Sequence, residues 1–341
     1  MQSAVPGHVY LESPFRSQTS SHPMISSAAP VRFVTDTLSA DEAERRFAGL
    51  LAPSLAFRRR HGLVAEQVVS VVATLDGQPA GVALGGIRPG TGFGEVLCLN
   101  VAADVRRLGI GSGLLARLER GLADTGCRAV QGTFRSDWGG ADATTGLLAA
   151  AGWDPPVVQK LYYKIRGSAF MSQPVMQSVP TPEGYEITDW DTLTEADRAH
   201  VEALVAADPA TAALTPFQHP GAVSPEFSVW LRHGGEIVGW HLVLVASRRA
   251  VEYAGLYVTP EHRRSRSGLA LVAASGWRHI AVLEQQAEAG FGTGEAPISD
   301  ISLFAVEPQS REMRAFADAY FRRDGITETT VWLAGKRLGA V

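Results

Sequence analysis

The run Glu95-Val-Leu-Cys-Leu-Asn-Val101, continued by Ala-Ala-Asp-Val-Arg106-Arg107-Leu108-Gly109-Ile110-Gly111-Ser112-Gly113-Leu114-Leu115, decides how this chain is read. It is a strand rich in apolar residues, a short loop, and a helix that begins inside a glycine run. Leu114, Leu115, Leu118 and Leu122 share one helical face. Glycines permit a tight turn and let backbone N–H groups approach a ligand with no Cβ in the way. The first N–H groups of a helix lack partners within it, and the helix dipole puts partial positive charge there. Arg106 and Arg107 add full charges at the same place. A pyrophosphate suits this chemistry, each charge-assisted hydrogen bond contributing about 1.5–3 kcal/mol. The plainer reading is a glycine-rich turn with exposed arginines.

Working outward, the surroundings of this run occur twice. Val34–Ser39 is echoed by Ile187–Thr194, each a short strand leading to a helix start, with capping-box spacing at Ser39/Glu42 and Thr194/Asp197. A hairpin follows in each half. The first is Gln67–Leu75, a turn at Asp76-Gly77, then Gly81–Leu84; the second is Phe227–Leu231, a turn at Gly234-Gly235, then Ile237–Val245. Strands Glu95–Val101 and Glu252–Val258 come next, each followed by an arginine pair and a long helix. The stretch Gly167–Gly184, with Pro174, Pro180 and Pro182, reads as a linker. The expected plan is two tandem α/β domains at 31–166 and 183–341, joined by 167–182 and preceded by a Ser- and Pro-rich tail at 1–30 with Met24 as an internal start candidate.

The phosphate loop is neither of two common types. A P-loop needs Gly-Lys-Ser/Thr at the helix start, and the lysine is absent; a dinucleotide fingerprint needs a third glycine where Leu114 stands. What remains is Arg-x-x-Gly-x-Gly, from Arg106 through Gly109 to Gly111. This segment resembles the pyrophosphate loop of the GNAT superfamily of N-acetyltransferases. The resemblance extends over both halves. Arg128–Arg135 looks like the family's fifth strand, Ala143–Gly152 like the following helix, Gly152-Trp153 like its Gly-Phe ending, and Val157–Ile165 like closing strands. It implies a mixed α/β sheet in each copy and an acyl-CoA, acetyl-CoA first of all, as cofactor. Its pantetheine arm would lie against the backbone of Leu99, Asn100 and Val101, and its pyrophosphate against Arg106, Arg107, Leu108, Gly109, Ile110, Gly111, Ser112 and Gly113. The tandem plan is similar to that of mycothiol synthases and of acetyltransferases from actinomycete secondary metabolism, β-lactam gene clusters included.

Amine attack on a thioester requires the neutral amine, and a positioned base supplies roughly 10²–10⁴ in rate. Glu95 stands eleven residues before Arg106, and Glu252 eleven before Arg263. The resemblance makes both candidate bases; the alternative is a strand-edge carboxylate facing solvent. Many relatives place a tyrosine acid four residues before the helix-ending glycine, where this chain has Leu148. In the second half Tyr320 and Phe321 precede Gly325, and Tyr320 is the candidate acid, with a packing tyrosine as its alternative. The second loop, Arg263-Arg264-Ser265-Arg266-Ser267-Gly268, has Arg266 in place of Gly109, so close phosphate approach is doubtful there.

Composition narrows the classes further. The 341 residues are 45% apolar with net charge −4, so no overall positive field favours nucleic acid or an anionic membrane. Cys98 and Cys127 make no disulfide framework, which fits a reducing cytoplasm, and no apolar run is long enough to span a bilayer. Nine histidines show no metal-ligand spacing, and His241 in a strand reads as a packed or surface residue. The expected function is acyl transfer, acetyl most of all, to an amine of a small molecule or peptide. A non-catalytic acyl-CoA sensor or scaffold is the competing class, and aminoacyl transfer from a charged tRNA a third.

Overall fold

The computed structural model describes residues 30–39, 41–42, 45, 67–88, 91–137, 140–207, 214–217, 223–245, 250–289, 297–321 and 326–339. Of the expected N-terminal tail, 1–30, all but Pro30 lies outside them. In chain order the strands and helices are β1 (Arg32–Ser39), β2 (Gln67–Leu75), β3 (Gln78–Arg88), β4 (Phe93–Val101), α1 (Ile110–Asp124), β5 (Ala129–Arg135) and α2 (Ala141–Ala150). Then come β6 (Val157–Arg166), α3 (Gly167–Met171), α4 (Pro174–Gln177), β7 (Tyr185–Asp189), α5 (Glu195–Ala207), β8 (Val229–His233) and β9 (Glu236–Val245). The chain ends with β10 (Val251–Val258), α6 (Ser267–Ala289), β11 (Ile301–Val306), α7 (Arg311–Tyr320) and β12 (Thr327–Arg337).

The chain forms two compact units. An N unit takes the described residues up to Lys160 together with Thr330 onward, and a C unit is Leu161–Thr329. These units differ from a cut at 167–182 in the last strand of each. In the N unit the order is β1-β2-β3-β4-β5-β12, and β12 pairs antiparallel with β5 from Val331↔Arg135 to Arg337↔Ala129. In the C unit the order is β7-β8-β9-β10-β11-β6, and β6 pairs antiparallel with β11 from Leu161↔Val306 to Arg166↔Ile301. Each sheet has one parallel pair, β4 with β5 and β10 with β11. The sequence expected to be a bare linker forms α3 and α4, which bury Phe170, Met171 and Met176 in the C-unit core.

The local reasons are readable. Asp76 and Gly77 both take positive φ, 51° and 75°, as a two-residue hairpin turn requires; Gly234 and Gly235 do the same at 58° and 89°. The leucine face of α1 packs on Val69, Val71 and Ala73 of β2, giving the N-unit core. Each buried branched side chain there contributes roughly 1.5–3 kcal/mol against exposure. In the C unit Phe170, Phe304 and Phe321 meet at ring separations of 4.5–5.5 Å. The Thr194/Asp197 capping box forms in full, Thr194 N donating to Asp197 Oδ2 at 3.0 Å and Asp197 N to Thr194 Oγ1 at 3.1 Å, while at Ser39/Glu42 the bond from Glu42 N to Ser39 Oγ at 3.2 Å supplies one half.

Candidate acyl-CoA site

The repeat is visible in hydrogen-bond register. Pairing of β4 with β5 runs from Phe93↔Ala129 to Val96↔Gly132 and stops, although β4 continues to Val101 and β5 to Arg135. Pairing of β10 with β11 likewise stops at Tyr253↔Phe304. On the opposite edge, β4 carries an extra residue, Leu97, against Leu84/Gly85, and β10 carries Ala254 against Val243/Leu242. A bulge bends its strand and strengthens the twist. In both units it falls two residues after the glutamate, where the parallel strands part. Leu99, Asn100 and Val101 lie along the opened stretch of β4, paired with Ala83, Val82 and Gly81 of β3 on its other edge.

Where the strand ends, both units use one construction. Gly81 and Gly239 lie so near the adjacent strand that a Cβ would stand 2.8 Å from the Asn100 carbonyl oxygen and 2.7 Å from that of Tyr257. Arg106 Nε donates to the Val101 carbonyl at 3.1 Å, and Arg263 Nε to that of Val258 at 2.9 Å. Each of these arginines therefore spends one of its donors closing the loop and keeps four N–H groups on its two terminal nitrogens. That use of Nε is one the sequence pattern does not reveal.

The helix start then differs in detail. Gly109 is the N-cap of α1 at φ 76°, with no side-chain cap, and the first helical bond is Gly113 N to Gly109 O at 3.0 Å. The N–H groups of Ile110, Gly111 and Ser112 therefore precede the helical ladder. A Cβ on Gly111 would find Leu147 and Val101 no nearer than 3.7 Å, so the protein itself leaves room there. Gly113 is different: its Cβ would stand 2.4 Å from the Phe33 ring, so packing already requires glycine. Arg107 takes φ 69°, and Leu108 is exposed. In the second loop Arg266 adopts φ 63°, the conformation of Gly109, a left-handed backbone that costs a non-glycine residue roughly 1–2 kcal/mol. The backbone course survives, and Arg266 is exposed.

The two glutamates do not face solvent. Glu95 is 7% exposed and Glu252 2%. Glu252 Oε1 accepts a hydrogen bond of 3.1 Å from the hydroxyl of Tyr162, a buried residue of β6. Sequence reading missed Tyr162. Ninety residues separate the pair, and only the sheet order brings β6 within reach of β10.

Residues 36–137 match the acetyltransferase (GNAT) family. The whole chain is similar to a tandem GNAT protein from the clavulanic acid biosynthesis pathway, with a TM-score of 0.63 and 17% identity over 91% of this chain and 99% of that one. The chain carries a GNAT acetyltransferase domain in a tandem GNAT fold. A GCN5-related N-acetyltransferase from Sphaerobacter thermophilus is similar too, with a TM-score of 0.58 and 18% identity over 91% and 97% of the respective chains. No curated protein matches the sequence.

At the acid position that the resemblance implies for the first copy, the chain has Leu148. Leu148 is buried in the N-unit core beside Trp153, whose Nε1 donates to Glu119 at 2.6 Å. Phe321 is buried among Tyr163, Phe170 and Phe304. Tyr320 is half-buried with its ring 4.8 Å from that of Phe316, and its carbonyl oxygen lies 3.5 Å from Gln173 Nε2. Tyr163 lies nearby in the same core, and burial, aided by Glu328, pushes its hydroxyl up to about 12. His241 is packed in the C-unit core, its Nδ1 2.9 Å from Ser275 Oγ and its ring stacked on Tyr253. Burial outweighs its bond to the Leu271 backbone and holds its imidazole down to about 3. Such a histidine is neutral at pH 7.

Proposed function

We propose that this tandem GNAT protein is an acyl-CoA-dependent N-acyltransferase, with acetyl as the transferred group and an amine of a small molecule or peptide as acceptor. The observation that carries the reading is β4: it parts from β5 after Val96 and runs into a helix start with glycine, not a side chain, at its cap. The opened edge suits the amides of a pantetheine arm, and the N–H groups of Ile110, Gly111 and Ser112 with Arg106 and Arg107 suit a pyrophosphate. The cofactor would supply the activated thioester; the chain's part is to hold it and to deprotonate the amine. Among the described residues no helix is long and apolar enough to cross a membrane. The clavulanic acid relative supports an acceptor among small secondary metabolites.

Within this reading the N unit holds CoA and the C unit performs transfer, with Glu252 as base and Tyr320 as candidate acid. Tight ground-state binding does not raise kcat, and a cofactor that never exchanges stabilises the fold instead. A second reading, a non-catalytic acyl-CoA binder, is favoured by one observation: apolar Leu148, buried in the N-unit core, stands where the first copy would carry its acid.

The deciding experiment uses Gly111→Leu. Native mass spectrometry of the unaltered chain is expected to show bound acyl-CoA; because the protein leaves room at the Gly111 Cβ, the variant is expected to fold as judged by circular dichroism and to lose that cofactor. Undiminished CoA in the variant would overturn the site. Turnover with a panel of amines then separates enzyme from binder.

A further inference from the structure

We infer that the acceptor taken by the C unit is an amine carried on an apolar body, aliphatic or aromatic; the inference rests on the acyl-transfer reading above and names its substrate class. Residues directly opposite one another in adjacent strands share a face, and so do alternate residues of one strand. Leu244, Leu242 and Trp240 alternate along β9 and stand opposite Glu252, Gly255 and Tyr257 of β10. The bulge at Ala254 lets Gly255, three residues on, share the face of Glu252. Across the parting, Glu252 is opposite Leu303 of β11, and Ala305 follows on the same side, opposite Tyr162 of β6. The N unit has the same frame and other side chains. Gly86, Leu84 and Val82 stand opposite Glu95, Cys98 and Asn100. Across its parting come Gln131, opposite Glu95, and then Thr133, opposite Leu333 of β12. Place by place, Cys98 corresponds to Gly255, Asn100 to Tyr257, Gln131 to Leu303 and Thr133 to Ala305. Amide, thiol and hydroxyl side chains line the glutamate's face in the N unit, and glycine, leucine, alanine and one tyrosine line it in the C unit.

Polar groups beside the C-unit row are engaged within the protein. Trp240 Nε1 donates to the Leu214 carbonyl at 2.7 Å, and its ring lies 4.4 Å from that of Tyr257. The Tyr162 hydroxyl donates to Glu252. Glu307, the residue after β11, accepts from Gln309 Nε2 at 3.0 Å, and Lys164, opposite Leu303, is exposed. A Cβ on Gly255 would stand 3.2 Å from Leu242 and 3.4 Å from Leu214, so leucines flank the opened strand there too. Leu244, Ala254 and Ala305 are half-buried, which brings this apolar row out to the surface of the unit. An acceptor that presents its amine to Glu252 lays the rest of itself along the row. A methylene or an aromatic ring gains by leaving water for such surroundings. An ether or hydroxyl oxygen loses its water and meets leucine and alanine, which offer it no partner.

The test measures binding, so that it does not depend on turnover. The full-length chain is titrated calorimetrically, in the presence of CoA without an acyl group, with hexylamine, phenethylamine and diglycolamine, the last an ether alcohol of the same length as hexylamine. Hexylamine and phenethylamine are expected to bind about 10–100-fold more tightly than diglycolamine, the discrimination an apolar site makes against polar isosteres. Leu303→Gln, which brings the N unit's side chain into the row, is expected to cut the preference for hexylamine over diglycolamine about 10-fold, and Ala305→Ser to cut it about 3-fold. Equal affinities for the two, or no binding of hexylamine, overturn the inference. So does a preference unmoved in a folded Leu303→Gln chain; if that chain does not fold, an unmoved preference in Ala305→Ser does so. Failure of the acyl-transfer reading looks different. Amines that bind with this preference and yet gain no acetyl group from acetyl-CoA, by mass spectrometry of the products, remove the transfer and leave the apolar amine site standing.

Discussion

Glu95 and Glu252 occupy equivalent places, each two residues before the bulge of its strand. The Tyr162 hydroxyl reaches Glu252, whereas Leu333 stands at the matching place near Glu95. Once an acceptor is known, Glu252→Gln is expected to lower kcat by about 10²–10⁴, the range for loss of a positioned base, with acyl-CoA still bound. Glu95→Gln is expected to leave kcat within a few fold. The reverse pattern in steady-state kinetics makes the N unit the catalyst. Tyr320→Phe in the same assay reads the acid, with a fall of about 10²-fold expected. His241 gives a prediction independent of activity. Burial depresses its imidazole from 6.5 to about 3, so within that window the unfolded chain takes up a proton that the folded chain refuses. Stability then falls as pH drops through the window. From pH 7 to 5 the unaltered protein should lose about 2 kcal/mol more than His241→Gln, as read from urea midpoints. Equal losses would show that His241 takes up its proton without unfolding.

At the scale of elements, the strand–loop–helix unit was legible because its chemistry is local. A glycine at positive φ, an arginine latch to the last strand carbonyl and an uncapped helix start all lie within twelve residues of Val101. The same locality makes the capping boxes testable. Thr194 and Asp197 bond reciprocally at the start of α5, and Arg232 grips Asp197 with two bonds of 2.8 Å, which holds that carboxyl well below the usual carboxylate range. Thr194→Ala should cost about 1 kcal/mol, a lowering of roughly 2–4 °C in the C unit's melting temperature by calorimetry. A larger loss would point to disturbance of the Asp197–Arg232 pair as well. The stretch 167–182 was less legible. Its short apolar pattern, Phe170, Met171 and Met176, has no long periodicity, yet all three are buried against strands contributed from distant sequence.

For the molecule as a whole, the last strand of each unit comes from a distant part of the chain. The N unit takes β12 from the C-terminal end, and the C unit takes β6, which directly follows the N unit's second helix. A chain ending at Arg166 therefore contains everything the sequence assigns to a first domain and still leaves the β5 edge without its partner. Exposed edges of this kind recruit other strands. Such a chain should self-associate on size exclusion, and the addition of residues 327–341 through a flexible linker should restore a monodisperse N unit. A monomeric, cooperatively melting 1–166 fragment would show that β6 can take the place of β12.

The sequence by itself determined the repeat, the hairpins, the glycine loop and the candidate carboxylates. Each depends on residues near one another in the chain: turn chemistry at Asp76-Gly77, helix periodicity in the leucines of α1, the eleven-residue spacing from Glu95 to Arg106. Only the tertiary structure decided which strand completes which sheet. Closing strands carry alternating patterns that fit either of two similar edges, and the choice is made by packing over the whole chain. That choice sets Tyr162 beside Glu252 and Leu333 in the corresponding place near Glu95. A hydrogen bond across ninety residues has no signature in local spacing.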